Sequence, residues 1–479
     1  MFGIFNLKEK KMHFWIGVEN FAKIESAKIC VDNYTVLVGE NNSGKTFLMQ
    51  LVQGVGKQIV NLIDETIMNE FLVEETDVYR YYEIDYMNVS KLVFHINEKL
   101  LVEKENIVKK IFGKDIDIGR LYIDISIDEN TIYNLLMYDS RCKDKEKRLA
   151  IINKAGMDAF FVEIENGLLQ TISSGMDRCI VNKKNNKIGK SEIVSVYVRM
   201  FEMENNLYRK GLRSIIEARS LFLPASRTGL MLLYREFFAS KTDKELSYVI
   251  KDNRVLEITE NYGNLTQPMY GFLRFLQTYS EEEMEKLYKE ELKFFEEHLI
   301  EGHIGIDKQG TFSYNSKNEK GTVPMYLASS MLNEVAPLAL AITSKNHYQR
   351  LIIDEAEASL HPQKQLELVR FFNRLNNKGM SLIVSTHSDT FVSKLNNLYI
   401  LSEQVKRCGE DILKQFNLEK EDLIEPERLF VYEFVNQPNG KSIVKEIKGN
   451  SKTGYQFDLF TDSAMHLYEE ATKLGEIQE

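Results

Sequence analysis

The sequence predicts an α/β chain on a mixed, largely parallel sheet, with an antiparallel β lobe at the N-terminus and a helical insertion. Three observations carry this. The strand-like run YTVLV is followed at once by a glycine-rich turn and then by FLMQLVQGVGKQIVNLI, whose apolar residues recur at helical spacing. From Gly310 onward, short apolar strands alternate with helical stretches, and strands separated by helices imply a parallel sheet. Between these, Thr228 to Ile300 is rich in Glu, Lys, Leu and Phe and has an amphipathic helical period, as in EEEMEKLYKEELKFFEEHL. No heptads are sustained over many turns, so long coiled-coil arms are excluded.

In chain order, Phe14 to Val38 alternates apolar and polar steps and reads as two or three strands joined by tight turns. Asp64 to Ser220 reads as inserted lobes without a motif of their own, with strands such as LYIDISI and FFVEIENGLLQTI and a polar turn at KKNNKIGK. After the helical segment come strand TFSYN, a helix from Ser330, strand RLIIDEA, a helix from Pro362 and strand SLIVSTHS. The tail carries LYILSEQ, then LFVYEFVN and SIVKEIKG around Pro438-Asn439-Gly440, a hairpin signal, and ends in a helix near AMHLYEEATKL. The expected division is a lobe with a glycine-rich loop (1–60), an inserted α/β lobe (61–220), a helical insertion (221–310) and a C-terminal lobe (311–479). The length suits about three domain-sized units, or one large α/β domain with insertions.

Composition narrows the function classes. With 43% hydrophobic residues and only 7 Pro in 479, the chain has the makings of packed cores and little room for disorder. Lys and Arg total 61 against 71 Asp and Glu, a formal charge of −10, so any nucleic-acid contact must use a local basic face. The four scattered cysteines form no CxxC pair, which argues against a zinc ribbon or a disulfide framework and for a reduced, cytoplasmic chain. The N-terminus lacks the order of a signal peptide, and the longest apolar stretch is far too short to span a bilayer.

Three strand ends carry the chemistry. Gly39-Glu40-Asn41-Asn42-Ser43-Gly44-Lys45-Thr46 matches GxxxxGK[ST], between a predicted strand and a predicted helix. In such a loop the glycines let backbone N–H groups turn inward around phosphates, with Asn41, Asn42 and Ser43 forming the cradle. Lys45 reaches the β- and γ-phosphates of ATP, and Thr46 offers its hydroxyl to Mg²⁺. Arg350-Leu351-Ile352-Ile353-Asp354-Glu355 is an apolar strand ending in two acids, the place where an α/β sheet opens its ligand crevice. Asp354 suits the Mg²⁺ shell, and Glu355 suits a general base that polarises the attacking water. Ser385-Thr386-His387-Ser388 ends a further strand, where His387 can hydrogen-bond a γ-phosphate; read alone, it is a structural histidine. The acid pairs Asp115/Asp117 and Asp124/Asp128 have the period of a solvated strand face rather than of a metal nuclease.

GENNSGKT, LIIDEAEASLHP and STHSD together resemble the ABC-type, AAA-family ATPases of the RecF, SMC and overcoming-lysogenization-defect group. Within it the chain is similar to the ATPase subunits of the Septu and PARIS phage-defence systems. The resemblance covers residues 14 to 60 and roughly 221 to 475. It implies a P-loop ATPase head and gives further roles. In Leu221 to Arg227, a strand-end Pro-Ala-Ser-Arg element nominates Arg227 as a phosphate-side or interface residue. In Ala328 to Glu334, Ser329 falls on the serine of the group's signature loop, which caps the γ-phosphate of the opposite subunit, while Ser330 and Met331 replace its glycines. Ser329 is equally an N-cap for the helix that follows. The replaced glycines imply slow or conditional hydrolysis. Ala356 stands where the group has proline, and Glu357 to His361 match a loop at which subunits meet.

The expected function is therefore an ATPase subunit, using ATP and Mg²⁺, that acts as a homodimer or higher homo-oligomer. Its nucleotide-dependent assembly would sense invasion and control a separate effector, a nuclease or toxin, in anti-phage defence. The alternative is a RecF-like DNA-binding repair clamp without an effector, which keeps DNA among the candidate partners. A membrane partner is not expected. The segment 278 to 300 offers a candidate self-association surface.

Overall fold

The computed structural model describes residues 13–62, 67, 69–75, 79–84, 86–126, 133–138, 163–165, 168–170, 197–200, 219–251, 264–280, 288–306, 311–318, 321–457, 465–466 and 468–474. KKNNKIGK falls outside them. The chain divides into two compact units, one made of Met1–Gly17, Val55–Lys104 and Leu121–Ala218, the other of Val18–Gly54, Glu105–Arg120 and Arg219–Glu479. Segments from both ends of the chain thus build the second unit.

Its sheet uses β1 (His13–Phe21), β2 (Ile24–Cys30), β3 (Tyr34–Gly39), β4 (Ser220–Leu223), β5 (Arg350–Ile353), β6 (Ser381–Ser385), β7 (Leu429–Asn436) and β8 (Ser442–Ile447). The order is β4-β5-β6-β3-β7-β8-β2-β1, with the strand Arg120–Ser126 at the edge beside β1. From β4 to β7 every pairing is parallel, β7 and β8 form the antiparallel hairpin, and β8 runs parallel to β2. A strand covered on both faces has no use for alternation, and Tyr34–Gly39 is buried at every position, as is Arg350–Ile353. β3, the strand that leads into the glycine-rich loop, sits in the middle of the parallel stretch, between β6 and β7.

Helices supply the other half of the core. Gln267–Gln277 buries Phe272, Leu273, Phe275 and Leu276; it opens at N-cap Thr266, whose side chain accepts from the Met269 N–H. Ser330–Thr343 buries nearly its whole length, which fits its run of Val, Ala and Leu. Pro362–Asn377 starts with proline at its first turn, where the missing N–H is not needed, and buries Leu368, Val369, Phe371, Phe372 and Leu375. Asp389–Cys408 is capped by Ser388 and absorbs LYILSEQ. The expected helical insertion is present as Arg227–Lys251, Gln267–Gln277 and Lys289–Phe294, continued by a π-helical turn, Phe295–Ile300.

In the first unit a four-stranded sheet runs in the order Tyr197–Met200, Tyr133–Tyr138, Tyr79–Ile84, Leu72–Glu75, with the first pair parallel and the others antiparallel. The side chain of Asn97 clasps Ile123 there, accepting from its N–H at 2.8 Å and donating to its carbonyl at 2.9 Å.

Gly39 is where β3 must turn into the loop. Its φ is +143°, and a Cβ there would lie 2.6 Å from the carbonyl oxygen of Phe434 on β7. Gly39→Ala is therefore expected to destabilise the second unit by about 1–3 kcal/mol from backbone strain alone. A thermal melt reads this directly, and an unchanged midpoint would show that β7 yields.

Candidate active site

Parallel register brings the carboxyl ends of four strands together. Leu223 lies opposite Ile353, Ile353 opposite Val384, and Ser385 opposite Leu37, so Pro224, Asp354, Thr386 and the loop after Val38 share one edge of the sheet. The loop itself is built from the sequence's turn formers. Asn42 has φ +57°, a left-handed setting that asparagine tolerates, and Gly44 has φ +100° with Ile24 Cγ1 only 2.8 Å from where a Cβ would be. Two contacts from elsewhere brace it. Lys23 Nζ donates to the Asn42 carbonyl at 2.7 Å, and Ser442 Oγ donates to the Ser43 carbonyl at 2.6 Å. Asn436 Nδ2 donates to the carboxylate of Glu40, while Asn41 and Asn42 are exposed.

Lys45 opens the helix Lys45–Leu62 and folds back over the loop, donating to the carbonyls of Gly39 at 2.9 Å and Glu40 at 2.8 Å and to Ser43 Oγ at 3.2 Å. Burial lowers its pKa to about 8, against the pull of Asp354, Glu355, Glu357 and Glu40. An ammonium short of solvation and ringed by carbonyls is suited to exchange those carbonyls for phosphate oxygens.

Thr46 and Asp354 are 308 residues apart in sequence, yet Thr46 Oγ1 donates to Asp354 Oδ2 at 2.7 Å. The other carboxylate oxygen, Oδ1, accepts from Ser385 Oγ at 2.7 Å. Asp354 is 2% exposed, so its charge is held by hydroxyls rather than by water. Ser385 Oγ in turn accepts from the Glu355 N–H at 2.8 Å. Glu355 has φ +49°, a left-handed conformation unusual for glutamate, and its side chain is half-buried at the crevice.

His387 is half-buried beside the loop. Burial and the Lys45 ammonium lower its pKa, while Glu357, Asp354 and the Gly39 backbone pull the other way. Its backbone N–H donates to Glu357 Oε1 at 2.6 Å. Glu357, which sequence reasoning assigned to a subunit-contact loop, thus supports the strand end that carries His387. The only signal for it was an acid two residues beyond the Asp-Glu pair. Ser385 and Glu334 also went unnoticed as site residues, because their partners are far away in sequence.

Two expected residues stand apart. Ser329 is exposed and is the N-cap of Ser330–Thr343, with φ −63°, ψ 156° and its Oγ accepting from the Leu332 N–H at 3.3 Å. Arg227, nominated for the phosphate side or an interface, is 1% exposed and directed elsewhere. Its guanidinium donates to the carbonyls of Pro224, Asp354, Glu355 and Glu334 and pairs with the Glu334 carboxylate at 3.0 Å. All of its N–H groups are thus engaged within the chain.

The donor set fits a nucleotide with Mg²⁺. A hydroxyl and a carboxylate in mutual contact are the hard oxygen ligands that ion prefers. At Gly39 and Gly44 a Cβ would collide with Phe434 and with Ile24, so the loop takes this path against the sheet only with glycine at both positions.

Residues 235–393 match the family model described as "AAA domain, putative AbiEii toxin, Type IV TA system". A 99-residue stretch is 30% identical to the energy-coupling factor transporter ATP-binding protein EcfA2 of Mycoplasma mobile, covering 20% of this chain and 32% of that protein. The chain therefore spans about a third of the length of that curated relative. Among solved structures, an SMC head bound to the C-terminal winged-helix domain of ScpA is similar at TM-score 0.33 and 11% identity, over 91% of this chain and 97% of the other. The SMC head domain from Thermotoga maritima gives 0.32 and 11%, over 92% and 99%. No described helix is long and apolar enough to cross a membrane.

Proposed function

We propose that the chain binds and hydrolyses ATP as an ABC-type ATPase subunit, and that its nucleotide-dependent assembly controls a separate effector, a nuclease or toxin, in anti-phage defence. The Thr46–Asp354 contact carries the first half of this reading, since it joins the phosphate loop and the acidic strand end into one polar site. In the mechanism that follows, Lys45 holds the β- and γ-phosphates and His387 donates toward the γ-phosphate. Glu355 takes the proton of the attacking water. Mg²⁺, held by Thr46 and Asp354, supplies neutralisation of the phosphate charge when bound.

Assembly follows from what one chain lacks. Its sequence has one GxxxxGK[ST] loop, and Ser329 caps an exposed helix start well suited to meet a phosphate from another subunit. Tyr326 and Leu327, just before it, are 65% and 68% exposed, an apolar edge suited to a partner. The words AbiEii toxin and Type IV TA system in the matching family's description support the defence setting. Light scattering of Glu355→Gln with Mg-ATP tests assembly. A homodimer or multiple of it is expected, and a strictly monomeric species at micromolar concentration would contradict it.

A further inference from the structure

Arg227 is 1% exposed and bonded through its whole guanidinium, and nothing in the mechanism above uses it. Its Nη1 donates to the Asp354 carbonyl at 2.7 Å and the Pro224 carbonyl at 3.1 Å, and its Nη2 to the Glu355 carbonyl at 3.0 Å. The same guanidinium reaches the other way. Its Nε donates to the Glu334 carbonyl at 2.9 Å, its Nη2 lies 3.0 Å from Glu334 Oε1, and Thr228 Oγ1 donates to Glu334 Oε2.

The geometry points to a positioning role for Arg227: it fixes the backbone from which Glu355 projects and ties that setting to the helix whose first turn is capped by Ser329. The inference rests on the hydrolytic reading and deepens it. Two successive carbonyls at the end of β5 are held by one planar group, at the point where the chain passes into the left-handed conformation of Glu355. Ser385 Oγ secures the same peptide from the N–H side. With the backbone clamped on both sides, the Glu355 carboxylate is aimed by the main chain as well as by its own rotamer. A lysine would keep the charge for Glu334 but could not fork across several carbonyls.

Arg227→Lys tests this through the split between binding and turnover. ATP affinity and KM are expected within about threefold of wild type, because Lys45 and Thr46 are untouched, while kcat falls about 10²-fold from misplacement of the base. The companion Arg374→Lys strikes an equally buried ion pair, Arg374 with Asp422 at 2.7 Å, away from the site. It is expected to lower the melting midpoint while leaving kcat unchanged below the melt. Glu334→Gln works from the helix side, removing the carboxylate charge that holds the guanidinium in its place; its effect on kcat should be non-additive with that of Arg227→Lys, the double variant being no slower than Arg227→Lys alone. If Arg227→Lys does not fold, Glu334→Gln alone decides, a reduced kcat at unchanged KM supporting the role and an unchanged kcat overturning it. Arg227→Lys with wild-type kcat, or with kcat reduced only in step with its loss of folded protein, also overturns the role. A wild-type protein that binds ATP but shows no turnover removes the hydrolytic reading and this inference with it, whereas Arg227→Lys turnover at the wild-type rate removes this inference alone.

Discussion

Lys45→Ala is expected to lose ATP binding by at least about 10²-fold, the effect of removing a charge-assisted contact worth about 3 kcal/mol. Lys45 is the only side-chain cation within Gly39 to Thr46, so nothing in the loop replaces it. Its three hydrogen bonds to Gly39, Glu40 and Ser43 also shape the loop. The variant's melting midpoint must therefore be read alongside. Equilibrium binding of a fluorescent ATP analogue at wild-type affinity would remove Lys45 from the site. Loss of affinity at a preserved midpoint assigns the effect to phosphate contact.

Glu355→Gln is expected to do the opposite, keeping Mg-ATP affinity while slowing turnover about 10²- to 10⁴-fold, the usual yield of a general base. The amide has nearly the carboxylate's shape, so the backbone held by Arg227 and Ser385 is undisturbed. Only the ability to take a proton goes. Asp354 sits one residue earlier but is buried, with a hydroxyl at 2.7 Å on each carboxylate oxygen, which leaves it a poor substitute base. Steady-state phosphate release at wild-type rate would take Glu355 out of the chemistry.

What the sequence disclosed and what it hid divide along physical lines. The phosphate loop was readable because its chemistry is local: two glycines, a lysine and a threonine at fixed spacing between a strand and a helix. The parallel sheet was readable because β5 and β6 are short apolar runs between helices. The place of β3 was not, since a strand followed by a loop gives no sign of whether its neighbours come from the same end of the chain; here they are β6 and β7. Arg227 shows the limit most clearly. An arginine after a strand normally belongs to the surface, and only the convergence of Pro224, Glu334, Asp354 and Glu355 around it makes burial affordable. Ser385 was read as one letter of a strand-end motif, whereas its hydroxyl bridges the Asp354 carboxylate and the Glu355 N–H. Glu357 escaped as a site residue for the same reason, its partner being the main chain of another strand end.

The central claim is that a loop and a strand end 308 residues apart form one hydrolytic site. Single-turnover conversion of ATP, with protein in excess and Mg²⁺ present, tests it most directly. The account predicts that bound ATP is converted to ADP and phosphate by the wild type, at least about 10²-fold more slowly by Glu355→Gln, and that Lys45→Ala neither retains nor converts it. Equal conversion rates for bound ATP in the wild type and Glu355→Gln would contradict it.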